Sequence, residues 1–180
     1  MRNIMKIISI AAVSGGGKTT IVNALKKKLG DINTLYFDDY TFESEVENFN
    51  NWVLEGADYN VWNLEPLIKD IEKIIIEDKC DLLILDYPFA YLNDKIKGYI
   101  DFSIFIDTPL DIALARRILR DFKNSSASEI RKELQIYLNF ARIAFTQMQK
   151  DVLPSSDLVI DGSKSIEEIV DEIILNFYSI

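Results

Sequence analysis

Short apolar runs alternate with stretches of helical period along this chain. "MKIISIA" from Met5, "TLYF" from Thr34, "DLLIL" from Asp81, "FSIFI" from Phe102 and "DLVI" from Asp157 read as strands. Between them, Ile21, Leu25 and Leu29 share one helical face, with Lys26 to Lys28 at its C-terminal end and Gly30 as the stop. Leu64, Leu67, Ile68, Ile71, Ile74 and Ile75 mark a second helix, with Asn63 placed to cap it. Thr108 and Pro109 read as cap and first residue of a third. "SASE" at Ser126 and "SIEE" at Ser165 are capping boxes that open a long fourth helix and a fifth. Between Thr41 and Asn63 the periodicity lapses. Continuous apolar strands joined by helices predict an α/β fold: a five-stranded parallel sheet covered on both faces, in one domain over residues 1–180.

Composition narrows the partners. A net charge of −9 argues against a general nucleic-acid surface and points to a small-molecule partner. No apolar run suggests a membrane span or signal peptide, and the one cysteine, Cys80, fits a reducing compartment, so the expected location is cytoplasmic. The chain contains no histidine. Acid–base work therefore falls to carboxylates and metal binding to oxygen ligands, which suits Mg²⁺.

Candidate chemistry begins at "AAVSGGGKTT", Ala11 to Thr20, between the first strand and the first helix. In the phosphate-loop pattern G-x-x-x-x-G-K-[ST], Gly17, Lys18 and Thr19 fill their places, while Ala12 stands where the first glycine belongs. A bare turn would need neither the lysine nor the hydroxyl beside it. In a phosphate site, backbone N–H groups of Gly15, Gly16, Gly17 and Lys18 point into a concavity for ATP, with Ser14 and Thr20 also at the nucleotide, Lys18 reaches its terminal phosphates, and Thr19 supplies a hydroxyl to Mg²⁺. The Ala12 methyl is expected at the strand end, away from the phosphates, and Lys18, as a surface-loop residue, is expected to support no core.

Parallel sheets bind ligands at the carboxyl ends of their strands, and four of the five strand ends carry Asp. Asp86 closes "DLLILD" in the layout that positions Mg²⁺. "FDDY" offers Asp38 and Asp39 at a neighbouring strand end; side chains there diverge, and Asp38 is the expected proton acceptor. Asp107 and Asp161 read as caps or turn residues. "ARRILRD" sets Arg116, Arg117 and Arg120 along one helical face, roughly opposite Ile112, Ala115, Leu119 and Phe122. Those arginines form either a solvated face or a lid, over about 116–128, that meets charge on the transferred phosphoryl group, with Arg142 a further candidate. The aperiodic 41–63 segment carries Phe42, Phe49, Trp52, Tyr59 and Trp62 among polar residues. It reads as core staples or as a substrate flap in which Tyr40, Asp58, Tyr59 and Trp62 meet the acceptor.

In order, the phosphate loop, "FDDYTF", "DYNVWNLE", "LLILDYPF", "IFIDTPLDIALARRILRD" and "KDVLPSSDLVIDG" resemble the uridine kinase and nicotinamide riboside kinase group of P-loop kinases over nearly the whole chain. The resemblance implies a three-layer P-loop NTPase fold with a small lid, and γ-phosphoryl transfer from ATP to a hydroxyl of a nucleoside-like molecule. It assigns the base to Asp38, Mg²⁺ assistance to Asp86, lid functions to Arg116, Arg117 and Arg120, and a ribose contact to Asp58 or Asn60. Two departures bear on the substrate: Ala12 in the loop, and no histidine for base recognition. A nucleoside monophosphate or dephospho-coenzyme kinase would need further arginines between Thr41 and Asn63, and there are none. A GTPase-like switch lacks N-K-x-D and D-x-x-G, and a non-catalytic ATP-binding regulator would differ from a kinase in turnover.

Overall fold

The computed structural model describes residues 5–42, 46, 48–77 and 80–177. Its elements are β1 (Lys6–Ala11), α1 (Lys18–Leu29), β2 (Asn33–Tyr36), α2 (Phe49–Leu54), α3 (Glu65–Glu77), β3 (Leu82–Asp86), β4 (Phe102–Asp107), α4 (Leu110–Asp121), α5 (Ala127–Ile136), α6 (Arg142–Ser155), β5 (Leu158–Asp161) and α7 (Ile166–Phe177). The five strands pair in parallel in the order β2-β3-β1-β4-β5, with β1 at the centre.

Period-2 alternation sorts each strand between two apolar layers. Ile8, Ile10 and Ala12 join Ile84, Ile104 and Ile106 beneath α1 and α7, against Ile21, Val22, Leu25, Ile169, Val170 and Ile173. Ile7 and Ala11 join Leu83, Leu85 and Phe105 on the other face, against Leu67 and Ile71 of α3, Trp52 of α2, and Ala144, Met148 and Val152 of α6. Ser9 and Ser103 are cross-strand partners, both buried, and satisfy each other at 2.8 Å between hydroxyl oxygens.

The capping boxes form as expected: Ser126 with Glu129 and Ser165 with Glu168 exchange side-chain and backbone bonds. Elsewhere the structure corrects the sequence reading. Phe37 is not the end of β2 but the start of a 3₁₀ turn, Phe37–Asp39, that lifts the next two acids above the sheet edge. A six-residue helix, α2, forms inside the stretch without periodicity, its first turn held by the Asn48 carboxamide oxygen, which accepts the N–H groups of Asn50 and Asn51. It is too short to display a period. Asn63 accepts the Glu65 N–H at 3.4 Å in an Asx turn just ahead of α3. The long fourth helix is interrupted by a π turn, Tyr137–Ala141, between α5 and α6. Pro109, not Thr108, caps α4; Thr108 is buried and its hydroxyl serves the phosphate loop instead. The apolar residues of α4 do not form a buried face: only Ala113 is buried and Leu119 is 75% exposed.

Candidate active site

The loop between β1 and α1 is built where only glycine fits. Gly15 and Gly17 have φ of +82° and +98°, in the left-handed region. A Cβ on Gly15 would lie 2.2 Å from the Ala113 carbonyl oxygen of α4, and one on Gly16 2.8 Å from the Val13 carbonyl, to which Gly16 donates its N–H at 2.8 Å. This is a folded loop wedged between two elements rather than a loose turn. Ala12 is 1% exposed, its methyl in the apolar layer under α1, so the missing first glycine leaves the loop intact.

Ser14, Gly15, Gly17, Lys18, Thr19 and Thr20 line one end of a cavity of about 490 Å³. Gly16 is turned away from it. Lys18 is the first residue of α1, only 11% exposed, and pairs with the carboxylate of Asp86, which is 2% exposed at the end of β3. The expectation that Lys18 supports no core is thereby corrected: it neutralises a buried charge.

Asp38 lines the cavity from the 3₁₀ turn after β2, and its charge acts on Arg120. Arg120 is held above the usual guanidinium range, first by its bond to Asp121 and further by the charges of Asp121 and Asp38. It grips Asp121 with two bonds, at 2.6 and 2.9 Å. Asp39 does not line the cavity, and its charge falls on Tyr40. Arg116 and Arg120, one turn apart, both reach the cavity, and Arg116 donates to the Gly162 carbonyl at 3.3 Å. Arg117 does not join them: it turns to α5, pairs with Glu133 and lies 5.9 Å over the Tyr137 ring. The sequence reading sets it on one face with Arg116 and Arg120, whereas the Glu133 carboxylate draws it to the other side. Arg142 is exposed and does not line the cavity.

The other end of the cavity is apolar. Trp62 and Trp52, both singled out in the flap, line it with Phe49. Residues 43–45 and 47 of that flap lie outside the described residues. The remaining acceptor candidates serve the wall from behind. Tyr40 donates to Asp70 of α3 at 2.8 Å, and burial together with that carboxylate pushes its phenol up. Tyr59 is buried, its hydroxyl facing Asp151, and its phenol is raised mainly by burial. Asp58 caps its own turn, accepting the backbone and side-chain N–H groups of Asn60 at 2.9 and 3.0 Å, while Asn60 accepts the Asp94 N–H at 2.8 Å. Asn93, 1% exposed, donates to the carbonyls of Tyr59 and Trp62 at 2.9 and 3.2 Å and so fixes the turn that carries the indole.

Several wall residues were not singled out from the sequence: Phe37, Pro88 and Phe89, and Ala144, Phe145 and Met148 of α6. Only the last three carried a signal, an apolar face at i, i+1 and i+4 on a helix. Behind Phe37 and Phe89, whose rings lie 5.9 and 5.5 Å away, Tyr87 is fully buried, with no hydrogen-bond partner for its hydroxyl among the described residues. Burial alone pushes that phenol well up.

Comparison with known proteins concerns the chain's family and fold. The profile of the phosphoribulokinase / uridine kinase family matches residues 59–165. Uridine kinase of Staphylococcus epidermidis is 29% identical over 194 residues, covering 94% of this chain and 93% of its own. Uridine kinase of Staphylococcus haemolyticus is 28% identical over 191 residues, covering 92% and 91%. Among solved structures, shikimate kinase from Bacteroides thetaiotaomicron superposes with a TM-score of 0.57 at 12% identity, over 97% of this chain and 99% of that one. That likeness concerns the fold.

Proposed function

The chain belongs to the phosphoribulokinase / uridine kinase family, and on that premise we propose that it transfers the γ-phosphoryl group of ATP to a hydroxyl of a neutral, nucleoside-like molecule. The observation that supports this best is a single cavity with two unlike ends and Asp38 on its wall. The phosphate loop, Lys18, Arg116 and Arg120 form the cationic end; rings form the other.

Asp38 accepts the proton of the acceptor hydroxyl as its oxygen bonds the γ-phosphorus and the bond from that phosphorus to the bridging oxygen of ADP breaks. Lys18 faces the charge that grows on the leaving oxygen, while Arg116 and Arg120 face the transferred group. The charge of Asp38 in turn acts on Arg120, so acid and guanidinium face each other at the reacting end. The donor set fits a magnesium ion. The Thr19 hydroxyl and the Asp86 carboxylate are hard oxygen donors, of which Thr19 lines the cavity and Asp86 is buried against Lys18. Thr19 would hold that ion at the cavity wall, Asp86 would assist from behind through its pair with Lys18, and the ion would offset the charge of the ATP phosphates.

Among the described residues the cations lining the cavity are Lys18, Arg116 and Arg120, all assigned here to the phosphates of ATP, so a phosphorylated acceptor would find no further partner for its own charge. This favours nucleosides over nucleoside monophosphates. No helix among the described residues is long and apolar enough to cross a membrane. The test is a coupled ADP-release screen across nucleosides, ribosides and vitamin alcohols, with nucleoside monophosphates and shikimate alongside. A neutral nucleoside should be turned over fastest; activity confined to the charged acceptors would refute the proposal.

A further inference from the structure

We infer that Thr108 is a positioning residue for the nucleotide, acting through the peptide bond between Gly16 and Gly17. The inference rests on the reading of this loop as a phosphate cradle. In a planar trans peptide the carbonyl of one residue and the N–H of the next point to opposite sides. Thr108, 1% exposed at the end of β4, donates its hydroxyl to the Gly16 carbonyl oxygen at 2.8 Å. The Gly16 carbonyl is thus drawn away from the cavity, and the Gly17 N–H is turned toward it; Gly17 lines the cavity and Gly16 does not. The opposite orientation would put a carbonyl dipole against the phosphates. With glycine on both sides of the bond, side-chain sterics do little to choose between the two. The Thr108 hydrogen bond makes the choice.

The threonine is itself held by the end of β5. A Cβ on Gly162 would lie 1.9 Å from the Thr108 hydroxyl oxygen and 2.9 Å from its Cβ, so any side chain there displaces it. Gly162 donates its N–H to the Asp107 carbonyl at 2.9 Å, locking the two strand ends together. Its own carbonyl accepts from Nη1 of Arg116, and that same nitrogen lies 3.8 Å from the position a Gly17 Cβ would take. One brace therefore sets a backbone N–H and an arginine for the same anionic ligand. Neither Thr108 nor Gly162 lines the cavity.

Calorimetric titration of wild type, Thr108→Val, Thr108→Ser and Gly162→Ala with MgATP tests this, with the thermal midpoint of each recorded. Thr108→Val keeps the shape and loses the donor, and should weaken ATP about tenfold, while Thr108→Ser should stay within about twofold of wild type. A purely structural threonine would shift the midpoint and leave the dissociation constant where it was. Gly162→Ala retains the hydroxyl but displaces it, and should weaken ATP by a factor similar to that of Thr108→Val. An unchanged ATP constant in Gly162→Ala overturns the inference even if Thr108→Val is not recovered folded. So does a Thr108→Val protein that binds ATP normally. Failure of wild type to bind MgATP overturns the cradle reading itself, and this inference with it.

Discussion

The two ends of the cavity are made in opposite ways. At the end proposed for the phosphates, the lining comes from one short loop, held in shape by glycines that a side chain would strain, with Lys18 and the arginines adding charge. At the end proposed for the acceptor, residues from the β2 turn, α2, the turn before α3, the segment after β3, and α6 supply rings and a thioether. A cradle made of one short segment is a fixed instrument for one chemical group. A wall drawn from five places can be retuned one ring at a time without touching the phosphates. Asp38, the proposed base, lines the same cavity, and its charge acts on Arg120.

Substitutions at the junction should separate turnover from binding most sharply. Asp38→Asn keeps shape and loses the basic oxygen, so turnover should fall on the order of 10² to 10⁴-fold. ATP affinity should change little, because the loop and Lys18 carry it. Turnover numbers and ATP dissociation constants for Asp38→Asn and Asp39→Asn check this; a dead Asp39→Asn beside a normal Asp38→Asn would move the base by one residue.

On the cationic side, Arg116→Ala and Arg120→Ala should each lower kcat by about 10 to 10²-fold with smaller effects on ATP affinity, and their combined loss should be less than additive. Arg117→Ala should leave kcat near wild type, since its partner is Glu133. Equal losses at all three positions in steady-state kinetics would restore the continuous arginine face that the sequence suggested.

On the apolar side, Phe145→Ala removes a half-buried ring from the wall and should raise KM for the nucleoside about tenfold while leaving KM for ATP unchanged. Parallel changes in both constants would mean that the two ends are not independent. Deeper in the wall, Tyr87→Phe removes a buried hydroxyl that has no partner among the described residues. It should raise stability by about 1 kcal/mol, read as a higher urea midpoint at constant slope.

The same contrast explains what could be read from the sequence. The sheet and the loop were legible because their signals are local: period-2 strands, "SGGGKTT" at a strand end, an acid closing an apolar run. Asp38 lines the cavity and Asp39 does not, but the cause is a 3₁₀ turn rather than the strand end that the sequence suggests. Arg117 was misplaced because helical spacing gives the angle between residues and not the identity of what packs against each; Glu133 lies 16 positions away. Tyr40 and Asp58 read as ligand contacts because a polar group in an aromatic stretch looks available until its structural partner, Asp70 or the Asn60 amide, is known. Ala144, Phe145 and Met148 were missed because an apolar helical face reads as core, and only tertiary placement shows that this one borders a cavity. Thr108 was assigned to the helix it precedes because its true partner, Gly16, is 92 residues earlier.

The most direct test of the account is to follow the label from γ-phosphate-labelled ATP in the presence of Mg²⁺ and a neutral nucleoside such as uridine, using wild type and Lys18→Ala. The account predicts label in a nucleoside monophosphate, in one-to-one ratio with ADP, from wild type. Lys18→Ala should give none, together with a lowered thermal midpoint, because Asp86 is left buried without its partner. Label appearing only as inorganic phosphate, or passing to the nucleoside undiminished in Lys18→Ala, would contradict it.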